Sequence, residues 1–378
     1  MSTIFLTGVT GFVGRELLRR RLKNSNEDRF FCLVRATDAE AADKRLDGVI
    51  QYLFSEDAED FRGRVVAVRG DLLKEGLGID AADRARIVDE CDRVTHCAAS
   101  VKLDEELEKS RASNLRGSEK MFALADQMQS EGSLERFDYV GTAYVAGDRT
   151  DLVKETELDV GQGFRNNYEQ TKFESEKLVR SRMADMPICI HRPSIIVGDS
   201  QTGETSSFNV LYFPLRIFAK GWWNLVIGRA DTPVDVVPID FVADAIDYLS
   251  TRPESIGQCH HLTAGSERMS NVQEMMNLAA DFFDVGKPRL VEPEFFWTHL
   301  EPRMAGQISA TQAQMMKQAA QYLPYFAQNP VFDAGLADAI LAPVGLQPPP
   351  VKDYFGTLFE YAQASDWGRK PPAARKSR

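Results

Sequence analysis

Cysteine pairs are what this chain most plainly lacks. Its five cysteines, Cys32, Cys91, Cys97, Cys189 and Cys259, contain no Cys-x-x-Cys spacing. Most of them fall in or beside strand-like apolar runs, so core thiols in a reducing compartment fit better than disulfides or zinc. Metal-ligand spacings are also missing; His96 reads as a satisfied strand histidine, and no metal is expected. A long uninterrupted apolar run is absent too. Residues 208–228 come nearest, but Pro214, Arg216, Lys220 and Asn224 break them, which allows at most peripheral membrane contact. Met-Ser-Thr leads straight into the first strand-like run and leaves no room for a cleavable leader. An excess of positive charge is lacking as well. The net charge of −11 argues against nucleic-acid binding, and Arg19, Arg20 and Arg21 point in different directions on a helix, as a solvated face would. There is no internal repeat.

What is present is the balance of an ordinary cytoplasmic globular protein, 43% hydrophobic and 27% charged over 378 residues. That length suffices for one large domain with a smaller one appended. The chain opens on its most informative stretch. Ile4-Phe5-Leu6 is strand-like, Gly8-x-x-Gly11-x-x-Gly14 follows at once, and Phe12, Val13, Leu17, Leu18 and Leu22 recur at helical spacing. A second strand-like run, Phe30 to Val34, comes at the distance of a βαβ unit. Strand, glycine turn and helix in that order place a helix N-terminus against phosphate charge, the arrangement of a dinucleotide site. Where an NAD site carries an acid to bind the ribose hydroxyls, this chain has Arg35. A guanidinium there suits a 2′-phosphate, so NADPH is expected over NADH.

Further strands end at further candidate groups. The run from Val65 closes on Gly70-Asp71-Leu72, where Asp71 can accept from an adenine amine and Leu72 can cover the ring. The run from Arg93 delivers Ala98 and Ala99, small enough for close approach to a cofactor. Asn114 opens a helical pattern, and the run from Phe137 ends at Gly141-Thr142. In open α/β sheets, ligands bind at the carboxyl ends of strands. Tyr168 and Lys172, four apart, share one face of a helix beginning near Asn167. An ammonium beside a phenol is expected to lower its pKa and make it a proton donor to a nascent alkoxide, with Thr142 hydrogen-bonding the reacting oxygen.

The wording of these motifs resembles the extended short-chain dehydrogenase/reductase superfamily. Leu6-Thr7-Gly8-Val9-Thr10-Gly11-Phe12-Val13-Gly14 and Cys32-Leu33-Val34-Arg35-Ala36 are similar to thioester reductase domains of peptide synthetases and carboxylic acid reductases. His96 to Asp104, Gly141-Thr142-Ala143-Tyr144-Val145 and His191-Arg192-Pro193-Ser194-Ile195 resemble fatty acyl-CoA reductases more closely. The resemblance covers residues 1–265 strongly and fades after that. It implies an α/β fold, a Rossmann-type doubly wound parallel sheet with a smaller, mostly helical C-terminal substrate region. It implies catalysis by Thr142, Tyr168 and Lys172. It also implies NADPH contacts at Thr7, Gly8, Thr10, Gly11, Phe12, Val13 and Gly14, at Arg35, Asp71, Leu72, Ala98 and Ala99, and at Tyr168, Lys172, Pro193 and Ile195. The substrate it implies is an acyl thioester on coenzyme A or an acyl carrier protein, reduced to aldehyde, with a further step to alcohol left open.

The expected organisation is an NADP-binding domain over residues 1–200, to which 229–265 return. Residues 201–228 and 266–367 form a substrate-binding region, and 368–378 a disordered tail. Phe213, Phe218, Trp222 and Trp223 are candidate walls of an acyl channel, against a plain hydrophobic core as the alternative. Two rival functions use the same fold: a sugar-nucleotide epimerase, dehydratase or hydroxysteroid-type dehydrogenase, and a non-catalytic NADP sensor. Arg35 weighs against the first and the intact trio against the second.

Overall fold

The computed structural model describes residues 1–208, 210–220, 225–304, 309, 314 and 319–370. Its centre is a seven-stranded sheet. Strands β1 (Thr3–Thr7), β2 (Arg29–Val34) and β3 (Val65–Arg69) run outward in one direction. In the other direction β1 is followed by β4 (Arg93–His96), β5 (Arg136–Val140), β6 (Ile188–Pro193) and β7 (Cys259–Leu262). Every pairing is parallel, with Leu6 opposite both Cys32 and Thr95, and His191 opposite His260. β7 joins the sheet only after the chain has left it for the whole stretch between residues 193 and 259.

β1 and β2 are largely apolar on both faces because both faces are covered. Phe5 and Phe31 point to one side, where they meet Val88 of α3 (Ala81–Glu90) and Met121, Phe122 and Leu124 of α4 (Leu107–Glu131). Ile4, Leu6, Phe30 and Cys32 point to the other, against Leu18 and Leu22 of α1 (Phe12–Asn24) and Leu46 and Ile50 of α2 (Ala39–Phe54). Phe5 and Phe31 are fully buried, and truncating either to alanine should cost about 3–5 kcal/mol. The fold is therefore the doubly wound parallel sheet that the strand and helix spacing implies.

Two local expectations are corrected. Asn114 lies well inside α4, whose first turns, from Leu107, are too polar to show a helical period. Arg19, Arg20 and Arg21 do not form a solvated face. Arg19 pairs with Glu16, Arg20 with Asp244 at 3.2 Å, and Arg21 with Asp28 at 2.6 Å and Asp247 at 3.4 Å. Asp244 and Asp247 belong to α7 (Ile239–Ser250), so the acids of one helix meet the bases of the other.

A second apolar cluster joins α6 (Tyr212–Phe218), α8 (Val272–Phe283) and α9 (Phe355–Ala364). A short strand pair, Arg289–Val291 with Leu225–Ile227, lies beside it, and another, Val331–Phe332 with Leu152–Val153, belongs to a separate cluster with Tyr144 and Tyr325. Among the described residues, no helix is long and apolar enough to cross a membrane. Of the expected tail, residues 371–378 lie outside the described residues.

Candidate active site

Strand order reverses between β1 and β4, and the cleft opens there, at the carboxyl ends of the strands. The turn after β1 admits nothing larger than glycine at two points. Gly8 has φ +83°, and a Cβ on it would lie 2.9 Å from the Ala98 nitrogen. A Cβ on Gly14 would fall 2.2 Å from the Gly8 carbonyl oxygen. Gly11 donates to the same oxygen at 2.8 Å, closing the turn. At its N-terminus α1 has no side-chain cap and no acid in its first turn. Its leading N–H groups therefore form a positive end toward the cleft with no acid of the first turn beside it.

The cleft has a volume of about 670 Å³, within the roughly 300–1,000 Å³ of small-molecule sites. Gly8, Thr10, Gly11, Phe12, Val13 and Gly14 form its floor, and Ala98, Ala99, Pro193 and Ile195 line it further along. At one end stand Arg35, Asp71 and Leu72, with Asp71 Oδ1 also accepting from the Leu73 nitrogen at 3.0 Å. Arg45 joins them, which sequence reasoning missed. Its guanidinium donates to the Arg35 carbonyl at 2.7 Å and lies 3.5 Å from Thr10 Oγ1. The only signal for it was indirect: α2 begins four residues past Arg35 and turns its polar side over the glycine turn. Two exposed guanidiniums thus share the edge of the cleft where β2 ends.

Thr142, Tyr168 and Lys172 converge at the other end. Thr142 follows β5 at once. Tyr168 and Lys172 come from α5 (Asn167–Arg182), which starts where it does because Asn166 caps it, accepting from the Glu169 nitrogen at 3.0 Å. Glu169 also accepts from the nitrogen of Arg165, the residue before the cap, at 3.0 Å. Thr142 Oγ1 donates to the Pro193 carbonyl at 3.4 Å and accepts from the Tyr144 nitrogen at 3.3 Å. Lys172 is buried, and its Nζ donates to Tyr139 Oη at 2.8 Å and to the Val140 carbonyl at 3.0 Å.

These contacts alter the expected electrostatics. Burial pushes the Tyr168 phenol up to about 12; the nearby Thr142 hydroxyl opposes this, and the Glu169 carboxylate adds to it. The expectation that Lys172 lowers this phenol is not met, because the ammonium is engaged by β5. Burial instead brings Lys172 itself down to about 8, against the pull of Cys97 and Glu176. Tyr168 therefore holds its proton through neutral pH, as an acid waiting for a strong oxygen base must.

Other expected residues are placed differently. Thr7 is absent from the cleft wall. Its fully buried hydroxyl meets His96 Nδ1 at 2.8 Å and accepts from the nitrogens of Cys97 and Ala98, which fixes the loop carrying Ala98. The other ring nitrogen of His96 meets Ser118 Oγ at 3.2 Å. Phe218 is buried in the cluster of α6, α8 and α9, while Phe213 packs on Tyr322 with ring centroids 5.7 Å apart. Neither lines the cleft, and Trp222 and Trp223 lie outside the described residues. The apolar wall beyond the trio comes instead from Val210, Leu211, Tyr212, Tyr144 and Tyr325. The period of residues 208–228 could not separate cleft from core, since both call for the same side chains.

The free helix end, the two close-packed glycines and the paired guanidiniums fit a nicotinamide dinucleotide. Comparison with known proteins agrees. The chain is 29% identical over 274 residues to a nonribosomal peptide synthetase, asaC, of Aspergillus flavus, a match covering 68% of this chain and 26% of that one. It is 28% identical over 306 residues to fatty acyl-CoA reductase 1 of Homo sapiens, covering 70% and 58%. The chain thus spans about a quarter to somewhat over half of these curated relatives. Among solved structures it is similar to the terminal R domain from the myxalamid PKS-NRPS biosynthetic pathway, with a TM-score of 0.83 and 26% identity over 98% of this chain and 92% of that one. The profile of the male sterility protein family matches residues 6–246, from β1 into α7. The chain belongs to that family, whose members among its relatives include fatty acyl-CoA reductases and the reductase domains of peptide synthetases, built on the extended short-chain dehydrogenase/reductase fold.

Proposed function

We propose that this protein is an NADPH-dependent reductase of acyl thioesters, carried on coenzyme A or an acyl carrier protein, and that it releases an aldehyde. One observation carries the reading: a single cleft runs from the glycine turn and two guanidiniums, past Thr142, Tyr168 and Lys172, to an apolar wall. Relatives named as fatty acyl-CoA reductases and peptide synthetases support the thioester class. NADPH is preferred on the same grounds as in the sequence, now with Arg45 beside Arg35. In this reading residues 1–200 and 229–265 bind the cofactor, and 201–228 and 266–367 the substrate.

A bound nicotinamide would supply hydride to the thioester carbonyl carbon. The α1 N-terminus would hold the pyrophosphate, Arg35 and Arg45 the 2′-phosphate, and Lys172 the nicotinamide ribose. As the carbonyl carbon becomes tetrahedral, its oxygen gains negative charge. Thr142 would hold that oxygen by hydrogen bonding, and Tyr168 would give it the phenolic proton. The alkoxide is a stronger base than the phenolate left behind, so the high phenol pKa does not stop the transfer. Loss of that proton to solvent lets the hemithioacetal collapse, the carbon–sulfur bond breaks, and thiol and aldehyde leave. The balance is one thioester, one NADPH and one proton to aldehyde, thiol and NADP⁺.

The test is incubation with NADPH and a panel of acyl-CoA, acyl-carrier and sugar-nucleotide substrates, following NADPH loss and thiol release together. Thiol release matching NADPH loss from one thioester class supports the reading. Turnover of a sugar nucleotide, or no thiol from any thioester, overturns it. Tyr168→Phe should lower turnover about 10²–10⁴-fold while leaving NADPH binding in place.

A further inference from the structure

Among the described residues beyond Tyr212, Tyr325 is the one that lines the cleft, and its hydroxyl does not end in the substrate space. It donates to Glu169 Oε1 at 2.7 Å and accepts from Asn166 Nδ2 at 2.8 Å. Both partners belong to the first turn of α5: Asn166 is its cap, and Glu169 directly follows Tyr168. The fully buried Glu169 also accepts from Arg165 Nε at 3.0 Å. The guanidinium carbon of Arg165 stands 4.4 Å from the centre of the Tyr325 ring. Arg165 Nη1 then donates to Asn329 Oδ1 at 2.8 Å, and Asn329 Nδ2 returns to the Tyr325 carbonyl at 2.6 Å. The contacts form a closed circuit between residues 325–329 and the turn that presents the proton donor.

We propose that Tyr325 is a positioning residue for the reaction: held between Asn166 and Glu169, its hydroxyl sets the angle at which Tyr168 faces the cleft. The C-terminal region thereby completes the site as well as walling it. A buried carboxylate that loses a partner must find another, so Glu169 and the turn around it move when the Tyr325 hydroxyl is removed. Tyr168 is covalently between the two anchored residues and moves with them. This rests on the reading of Tyr168 as proton donor.

The test is a double-mutant cycle on the full chain, using NADPH and whichever thioester wild type reduces. Tyr325→Phe keeps the ring and loses the hydroxyl. It should lower kcat about tenfold, short of the ~10²-fold that an ångström of misplacement can cost. The KM for NADPH should stay within about twofold, and the solvent deuterium isotope effect on kcat should rise as proton delivery becomes limiting. Because Tyr325 acts through Tyr168, adding Tyr325→Phe to Tyr168→Phe should cause no further loss. An unchanged kcat, or the same loss in both backgrounds, overturns the proposal. Near wild-type turnover by Tyr168→Phe alone overturns the underlying reading instead. Should Tyr325→Phe fail to fold, Asn166→Ser retains a good helix cap but replaces the amide that reaches Tyr325 with a shorter hydroxyl. It should lower kcat several-fold with the same non-additivity, and wild-type kcat in that variant overturns the proposal.

Discussion

Lys172 Nζ is fixed 2.8 Å from the Tyr139 hydroxyl, so α5 and β5 are tied together by the group proposed to meet the nicotinamide ribose. With burial holding this lysine down to about 8, its charge is lost as pH rises through that value. NADPH binding should therefore be full about a unit or more below pH 8, fall through that value and be weak above it. Tyr139→Phe removes an acceptor that favours the ammonium and should move this limb down by about one pH unit. Titrations of NADPH affinity against pH for both proteins check it; superimposable limbs would contradict the coupling.

Arg35 and Arg45 should act as a pair on cofactor choice. A hydrogen bond to a charged group is worth about 1.5–3 kcal/mol, and the exposure of both guanidiniums points to the lower end. Arg35→Ala and Arg45→Ala should each weaken NADPH about tenfold and leave NADH nearly untouched. Equal losses for both cofactors would place the two side chains away from the 2′-phosphate.

Cys97 lines the cleft, yet it should not serve as an acyl acceptor. Burial pushes its thiol up to about 12, in spite of Lys172 nearby, so almost none is thiolate at neutral pH. Cys97→Ser should keep turnover within a few-fold, and no acyl-enzyme should be trapped when the enzyme meets thioester without cofactor. Mass spectrometry showing an acyl adduct on this residue would refute direct transfer.

Acid should destabilise the fold through buried imidazoles. Burial holds His96 and His260 down to about 3 from an ordinary value of 6.5. Between those values the unfolded chain binds more protons than the folded one, so stability falls as pH drops from 6.5 toward 3. His191 has the opposite sign. Burial lowers it, but Cys189 and Asp138 raise it further, to about 9, so its contribution is present below 6.5 and lost as pH rises through 9. Urea midpoints measured from pH 4 to 9 should peak between these limbs, and His260→Leu should flatten the acid side.

What could be read in advance was local. Gly8, Gly11 and Gly14 lie on one turn, and Tyr168 and Lys172 on one helical face, so spacing alone brings each group together. Arg35 follows its strand directly. The missed features depend on how distant elements dock. Arg45 reaches the cleft because α2 folds back over the glycine turn, and Tyr325 because residues 325–329 close on the first turn of α5. The arginines of α1 found partners because α7 packs across them. A one-dimensional pattern records which face of a helix is polar, not which acid will stand opposite it.

The late arrival of β7 has a consequence during synthesis. β6 pairs with β5 on one side and with β7 on the other, and β7 is not made until residues 259–262. Until that stretch leaves the ribosome, Ile188 to Pro193 present an open edge with unpaired main-chain groups, the kind of edge that recruits other chains. A fragment ending near residue 200 carries the same edge permanently. The interval in which the nascent protein is prone to self-association is thus set by the length of chain inserted between β6 and β7, and slowing translation within that insert should lower soluble yield more than slowing it after residue 262.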